Sequence, residues 1–440
     1  MSQAQKFNFL VILLLACLGV AFKLWASESL TLNEAIQTTF QNNPELKAKQ
    51  ASLEAAQGEK KRQSAPLPNS PRVGIQGSTD VAFENEGEYK FEAGLSQEFE
   101  IGGQRGLRKQ IGSLELEKAK KDLEWFQHRL VLEVKQAFYR LLYLQQKKQI
   151  LEDIAASNKE LARFASQRQN QGLITSFEGD LWRLEDADSF SDLSTTNAER
   201  NEARLNLKKI LGDETIEIER VSTPWPKEFS LPSEEQLLEI ALSGRADLQR
   251  QQLEIQQKEK AYQLAKRSRI PNPDFSFGYT REKSLFGGGD FTGNPAVVGG
   301  ISNLSKTDEL FRFGLSFPLN IFAGKKGEIA KAQAEKKVAD YEKESLQKRI
   351  SKDLKDFRER LILARKIVLH YQASAANLDK NIQLLKEAYQ KGNIDVATYL
   401  NYRDRLIKAK LKFLEARFRL TESLTSLELA SGKPWEKVHE

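Results

Sequence analysis

The chain alternates between two hydrophobic periods, and the points where the period changes define its elements. Phe311, Phe313, Leu315, Phe317 and Leu319 are apolar, while Arg312, Gly314, Ser316 and Pro318 between them are small or polar. That period of 2 predicts a strand with one apolar face. After Gly324 and Gly327 the chain becomes charged and alanine-rich and takes a helical period. The same change occurs earlier, in Phe91 to Arg108, where Gly94-Leu95-Ser96 matches Gly314-Leu315-Ser316. Two strand-to-helix changes in one chain point to an internal repeat.

Taken in order, Thr31 with Glu34 forms a capping box. It opens a helix predicted to run to about Ser64, where Pro66, Pro68 and Pro71 end it. Strands follow over 72–84 and 88–101, joined by a turn at Asn85 to Glu88. Val73, Ile75, Tyr89, Phe91 and Leu95 fall on the apolar faces, with Lys90, Glu92 and Glu98 opposite. From Arg105 a helical pattern runs to Gln171 without proline, roughly 100 Å at 1.5 Å per residue. Gly172 breaks it, and a second helix runs from Ser176 to Leu211 before Gly212. A proline-containing linker at 213–232 precedes Ser233 and Gln236, a second capping box. Strands are predicted at 274–285 and 308–321, around a glycine-rich loop from Leu285 to Thr307. A long helix to Lys391, a break at Gly392 and a last helix to Gly432 complete the pattern.

Ser233 follows Thr31 by 202 residues, and Pro273 follows Pro71 by the same number. Gly392 follows Gly172 by 220, as Gly432 follows Gly212. The 18 additional residues therefore lie largely in the glycine-rich loop, and the helical parts of the two halves are equal in length. The reading is a signal segment (1–26), repeat 1 (27–212), the linker (213–232) and repeat 2 (233–440). The second long helix carries apolar residues at Ile350, Leu354, Phe357, Leu361, Ala364 and Val368, continuing to Tyr389. Spacings of 4 and 3 alternate, as a coiled-coil seam requires. The first long helix shares the register from Leu130 to Gln169, with more small and polar residues, Asn158 among them. An ordinary coiled coil and a curved wall of paired hairpins around a lumen both fit this pattern.

The strands decide between them. Four strands with one apolar face and no further layer cannot form a stable soluble sheet. Alternation of Phe and Tyr with charged residues is the pattern of a transmembrane β-barrel, lipid outside and lumen inside. Phe91, Phe277, Phe311, Phe313 and Phe317 are accordingly expected to face lipid, and Lys90, Glu92 and Arg312 the lumen. A barrel must close to remove its edges. Four strands cannot enclose a channel, so several chains must share one, and three would supply twelve strands. The fold class is thus mixed α and β: long coiled-coil hairpins forming an α-barrel, four transmembrane strands per chain, and an internal two-fold repeat.

Composition narrows the function. Charged residues make up 29% of the 440, and mean hydropathy is −0.53, which excludes a multi-span helical membrane protein. The net charge of +6 is interspersed rather than clustered, arguing against nucleic acid as a partner. One Cys, one Met and three His leave little room for a metal centre, and no cofactor is expected. His128, His370 and His439 are far apart, with no nucleophile motif, so no catalytic constellation is visible and no enzyme is expected. Gly102-Gly103 before a helix lacks the Gly-Lys-Ser/Thr of a phosphate loop and reads as a strand-to-helix joint. Lys6, the apolar run from Phe9 to Phe22 and the small residues after it form a signal segment. Within it, Leu14-Leu15-Ala16-Cys17 is lipobox-like, and Cys17 is either a lipidation site or simply part of the apolar run.

With these parts in place, the sequence resembles the TolC-type outer membrane factor family over essentially the whole mature chain. Glu98 to Arg105, Pro318 to Phe322 and Gly327 to Ala330 most resemble its cobalt–zinc–cadmium efflux branch. The resemblance implies a homotrimer with a twelve-strand barrel in outer membrane lipid and a helical tunnel in the periplasm. It implies docking to a periplasmic adaptor protein and an inner-membrane pump, of the RND type for this branch, with metal cations as cargo. Duct service in type I protein secretion or drug efflux, or a non-transporting trimeric envelope coiled coil, are the alternatives. In family members with a known gate, Asp stands six and nine residues after the second tip glycine; here Thr398 and Asn401 do. Asp395, Glu178 and Asp180 are the acids near the tips, read either as a charged gate or as helix-terminal acids. Tyr399 and Tyr402 either narrow the opening or pack between hairpins.

Overall fold

The computed structural model describes residues 29–82, 87–226, 231–286, 304–318, 325–375 and 377–433. Residues 1–28, with Cys17 and the expected signal segment, part of the first strand turn, most of the glycine-rich loop, residues 319–324 and His439 lie outside them. In chain order the described elements are α1 (Leu32–Asn42), α2 (Pro44–Gln63), β1 (Arg72–Thr79), β2 (Tyr89–Glu98), α3 (Gln104–Asn170) and α4 (Ser176–Leu211). The second half holds α5 (Glu234–Gly244), α6 (Ala246–Arg267), β3 (Asp274–Phe286), β4 (Leu304–Ser316), α7 (Lys326–Ala375), α8 (Leu378–Gln390) and α9 (Val396–Ser431).

Several boundaries differ from the sequence reading. The leader helix expected to run unbroken to Ser64 is two helices, divided at Asn43-Pro44. Proline disfavours helical backbone in the residue before it, and Asn43 has ψ 120°. Its side chain then caps the next helix, accepting from Leu46 N–H at 2.9 Å. The corresponding break before α6 falls at Arg245. The long helix expected to reach Lys391 ends at Ala375, and α8 begins at Leu378; neither proline nor glycine marks this break. Finally, β1 ends at Thr79 rather than 84, because Asp80 turns the chain and accepts Glu88 N–H at 3.1 Å. The fourth strand is shifted towards the N-terminus, from 308–321 to Leu304–Ser316, so Phe317 follows the strand rather than lying in it.

The chain divides into two compact units. One comprises Met1–Ala51, Asp122–Asp247 and Leu346–Glu440. Its core gathers Val134, Phe138, Leu141 and Leu142 of α3, Leu207 and Leu211 of α4, and Leu414 and Phe418 of α9. Trp225 from the linker stacks on Tyr139 at 5.7 Å. Every seam position named on α7 and α8, from Ile350 to Tyr389, is buried or half-buried. The return helices α4 and α9 end on Gly212 and Gly432, with φ of 70° and 73°, the left-handed conformation that glycine adopts without penalty. In each case a leader-helix joint closes the end: Asn43 Nδ2 donates to Ile210 O at 2.9 Å, and an Arg245 guanidinium N–H to Ala430 O at 2.6 Å.

The other unit comprises Ser52–Lys121 and Leu248–Ser345. The two strand hairpins are joined in it as one antiparallel sheet, ordered β1-β2-β3-β4 through pairing of β2 with β3. Gly103, with φ 76°, turns the chain from β2 into α3. Beside it Arg108 clasps Glu100 with two hydrogen bonds, of 2.9 and 2.8 Å.

Candidate functional site

Sheet register determines which side chains share a face. Val73, Leu95, Phe277 and Phe313 form one row across the four strands, and Ile75, Ala93, Tyr279 and Phe311 form the next. Phe277 and Phe313 are in ring contact at 5.2 Å, and Tyr279 and Phe311 at 5.3 Å. Large apolar groups on this face stand open, Phe313 at 82% exposure, and Phe91 and Phe317 are also exposed. The following row, Gly77, Phe91, Arg281 and Glu309, ends the apolar band with an ion pair of 3.7 Å. From Phe311 to Phe317 the band spans about 20 Å at ~3.3 Å per residue. The opposite face carries Lys90, Glu92 and Arg312, with Glu92 accepting from Lys90 at 2.8 Å and lying 3.7 Å from Arg312. A face that leaves this much aromatic surface in contact with solvent marks an interface. β1 and β4 are the outer strands, and among the described residues neither pairs on its outer side.

The helical hairpins turn at Gly172 and Gly392, with φ of 71° and 76°. Each turn closes with paired hydrogen bonds: Gly172 N–H to Gln169 O and Leu173 N–H to Arg168 O, both 2.9 Å, and Gly392 N–H to Tyr389 O and Asn393 N–H to Ala388 O, 2.9 and 3.0 Å. The returning helices start on side-chain caps. Thr175 accepts from Glu178 N–H at 3.3 Å, and Asp395 from Thr398 N–H at 2.7 Å. That bond holds the Asp395 carboxyl below the usual carboxylate range. Asp395 thus caps α9 while remaining exposed; Glu178 is half-buried in the first turn of α4. Asp180 pairs with Arg183 at 2.6 Å on the surface.

The two tyrosines separate. Tyr402 is exposed, whereas Tyr399 is 1% exposed inside a cluster with Trp182 and Tyr389. Trp182 Nε1–H donates to the Tyr389 hydroxyl at 3.0 Å, and the Tyr389 and Tyr399 rings lie 5.1 Å apart. Burial raises both phenols above their ordinary range. Behind the cluster, Arg403 is 4% exposed and donates to Asn158 Oδ1 at 2.6 Å, to Glu185 and to Asp404 at 3.0 Å. Asn158 in turn donates to Ser189 Oγ at 2.5 Å. This network ties α3, α4 and α9 together. Only Asn158, a polar residue at a seam position, hinted at it in the sequence.

His128 lies half-buried against the Glu428 backbone carbonyl at 3.3 Å, and its partial burial lowers its pKa below the ordinary imidazole value. Among the described residues, no group of three or more His, Cys, Asp or Glu side chains is arranged to hold a metal ion. No described helix is long and apolar enough to cross a membrane.

A family model described as outer membrane efflux protein matches residues 35–213 and 237–433. No curated protein matches. Among solved structures, a membrane protein from Pseudomonas aeruginosa is similar at a TM-score of 0.73 and 15% identity, covering 93% of this chain and 92% of that one. The Campylobacter jejuni CmeC outer membrane channel is similar at 0.71 and 17%, over 93% and 87%. CusC, described in terms of folding and transmembrane channel formation, is similar at 0.70 and 15%, over 91% and 92%.

Proposed function

Since the chain belongs to the outer membrane efflux protein family, we propose that it is the passive exit duct of a tripartite pump, assembled as a trimer and carrying metal cations. Channels of this family are not enzymes. They lie in the outer membrane with a helical tunnel in the periplasm, and work as trimers with adaptor proteins and inner-membrane pumps. The observation that carries the finer reading is the four-stranded sheet, apolar and exposed on one face, charged on the other, with a free strand at each edge. A lipid-embedded sheet cannot leave an edge unpaired. Joining β4 of one copy to β1 of the next removes both edges, and three copies yield twelve strands.

Metal cations as cargo rest on the branch resemblance of the strand-to-helix segments, and with them an RND-type pump. The chain conducts rather than chelates in this reading. At the tips, Asp395, Glu178 and Asp180 supply negative charge near each turn, and Tyr402 supplies bulk. Copies of Asp395 brought towards one axis would repel each other and attract cations. The duplication of the hairpins, supported by glycines of matching φ at Gly172 and Gly392, sets six hairpins around the tunnel.

Three measurements test the reading. Native mass measurement in detergent is expected to give three copies, and a conducting monomer would overturn the assembly. Planar-bilayer recording of the Asp395→Ala, Glu178→Ala double variant is expected to lower cation selectivity or enlarge openings. Unchanged selectivity and conductance would make these acids helix caps only. A deletion strain should lose tolerance to divalent metals rather than to drugs if the cargo assignment is correct.

A further inference from the structure

Both faces of the sheet continue past the ends of the strands. On the apolar side Phe99 meets the Phe275 ring edge-on at 5.5 Å, and Ile101, two residues on, is 61% exposed. On the charged side Glu98 accepts from Asn272 Nδ2 at 2.8 Å, and Glu100 is held by Arg108 of α3. Arg108 therefore marks the side of α3 that continues the charged face. At ~100° per residue, Gly106 and Gln110 lie about 200° round the helix from it, and Ser113 about 140°. That opposite side of α3 continues the face of Phe99 and Ile101.

A groove of about 990 Å³ opens on this side, lined by α3 and α6 with one residue of α7. Leu114 and Ile255 give it apolar surface, and Gln110 and Ser113 add uncharged polar groups. Three lysines line it, Lys109, Lys260 and Lys336, against one carboxylate, Glu259. That carboxylate is already engaged: Lys336 pairs with it at 2.7 Å, and Gln263 donates to it at 2.9 Å. Among the described residues, Lys109 and Lys260 make no ion pair. The first turn of α3, beside Lys109, carries no acid, so nothing there offsets the positive end of the helix dipole.

We infer that this groove binds the headgroup of an anionic phospholipid of the periplasmic leaflet. The inference rests on the reading of the apolar sheet face as lipid-facing, and adds to it a site with its own lipid preference. The depth fits. The polar layer of a leaflet is about 5–8 Å thick. Gly106 and Lys109 lie roughly 3 and 8 Å along α3 from Gln104, and Lys260 roughly 10 Å from the end of α6, at 1.5 Å per residue. Lysine stems carry their ammonium groups towards the phosphates while the methylenes cover apolar surface. The chemistry fits as well. Two uncompensated cations beside a helix N-terminus favour a phosphodiester. A zwitterionic headgroup would bring its own ammonium against Lys109 and Lys260. The groove suits a headgroup rather than a lone anion, since volumes of ~300–1,000 Å³ take small-molecule ligands.

The test is native mass spectrometry of the full chain in detergent, titrated with dioleoyl phosphatidylglycerol or dioleoyl phosphatidylethanolamine. Wild type is expected to bind the glycerol lipid about tenfold or more tighter than the ethanolamine lipid, since each lysine near an anionic surface contributes roughly fivefold. Lys109→Gln with Lys260→Gln should bring the glycerol lipid down to the ethanolamine level and leave ethanolamine binding unchanged. Lys120→Gln with Lys337→Gln removes the same charge from exposed positions outside the groove and should keep the preference. Equal affinity of wild type for the two lipids, an equal fall in both double variants, or loss of both lipids alike overturns the groove assignment. Reconstitution separates this from the reading it rests on. A wild-type chain that does not insert into phosphatidylcholine vesicles, with or without phosphatidylglycerol, overturns the lipid-facing sheet and the groove with it. A chain that inserts but shows no lipid preference overturns the groove alone.

Discussion

Replacing Arg403 by alanine should loosen the turn end of the hairpins by an amount the structure bounds. Arg403 is nearly fully buried and serves Asn158, Glu185 and Asp404 together. Removing one member of a fully buried ion pair costs about 3–5 kcal/mol, because the remaining charge is stranded. The Glu185 side chain keeps 22% of its exposure, so its share falls below that range. Asn158 is almost fully buried and loses the donor to its Oδ1, a penalty of about 1–3 kcal/mol. A total near 3 kcal/mol corresponds to roughly a 100-fold change in local opening, at ~1.4 kcal/mol per tenfold. Hydrogen exchange of peptides covering 182–189 and 396–404 reads this opening directly. Arg403→Lys keeps the charge but cannot reproduce the forked geometry, and should fall between wild type and alanine. Asp404→Ala removes a half-exposed partner and should cost below about 1 kcal/mol. Exchange in Arg403→Ala within threefold of wild type would refute the argument that this network holds the three helices together.

Gly212→Ala should destabilise more than Gly172→Ala. Both positions have positive φ, worth about 1–2 kcal/mol for a side chain, but a Cβ at Gly212 would meet the Asn42 and Asn43 backbone at 2.8 Å, while Gly172 faces open space; thermal melting of the two variants checks the order. Phe313→Arg should impair assembly by about 2–4 kcal/mol if its position is near the membrane midplane, whereas Arg312→Ala should leave assembly intact and change conductance. Lumenal labelling of a thiol at 313 would mean that the strand faces are reversed. His128 has its folded-state pKa lowered by burial, so its contribution to stability is present above the unfolded value near 6.5 and is lost as pH falls through the folded value. Melting temperature should therefore drop between pH 7.5 and 5.5 by more in wild type than in His128→Gln, and equal drops would exclude this histidine as a source.

Local chemistry determined much of this molecule. Helix ends marked by glycine, threonine, serine or aspartate were readable to the residue: Gly172 and Gly392 at the turns, Gly212 and Gly432 at the ends, Thr31 and Ser233 at the starts. In each case the conformation is fixed within a few residues, by a φ open to glycine or a side chain reaching its own backbone. The alternating strands disclosed their faces for the same reason, since period 2 survives any register that keeps the apolar residues together. The mixed α and β class and the division of the strands into an apolar and a charged face followed from those periods. Tertiary structure decided the contacts between distant segments. Joining of the two strand hairpins through β2 and β3 depends on backbone pairing, which leaves no sequence signal. Arg403 reads in sequence as one more surface cation; only the approach of α9 to α3 and α4 makes it a buried clasp. Tyr399 and Tyr402 lie three residues apart on one helix, yet one is packed against Trp182 and the other is open. Periodicity could not separate them, because which side of α9 is covered depends on where α3 and α4 lie. Pro44 shows the reverse situation: the proline that divides the leader helix was present in the sequence, and its steric consequence outweighed the otherwise continuous helical pattern.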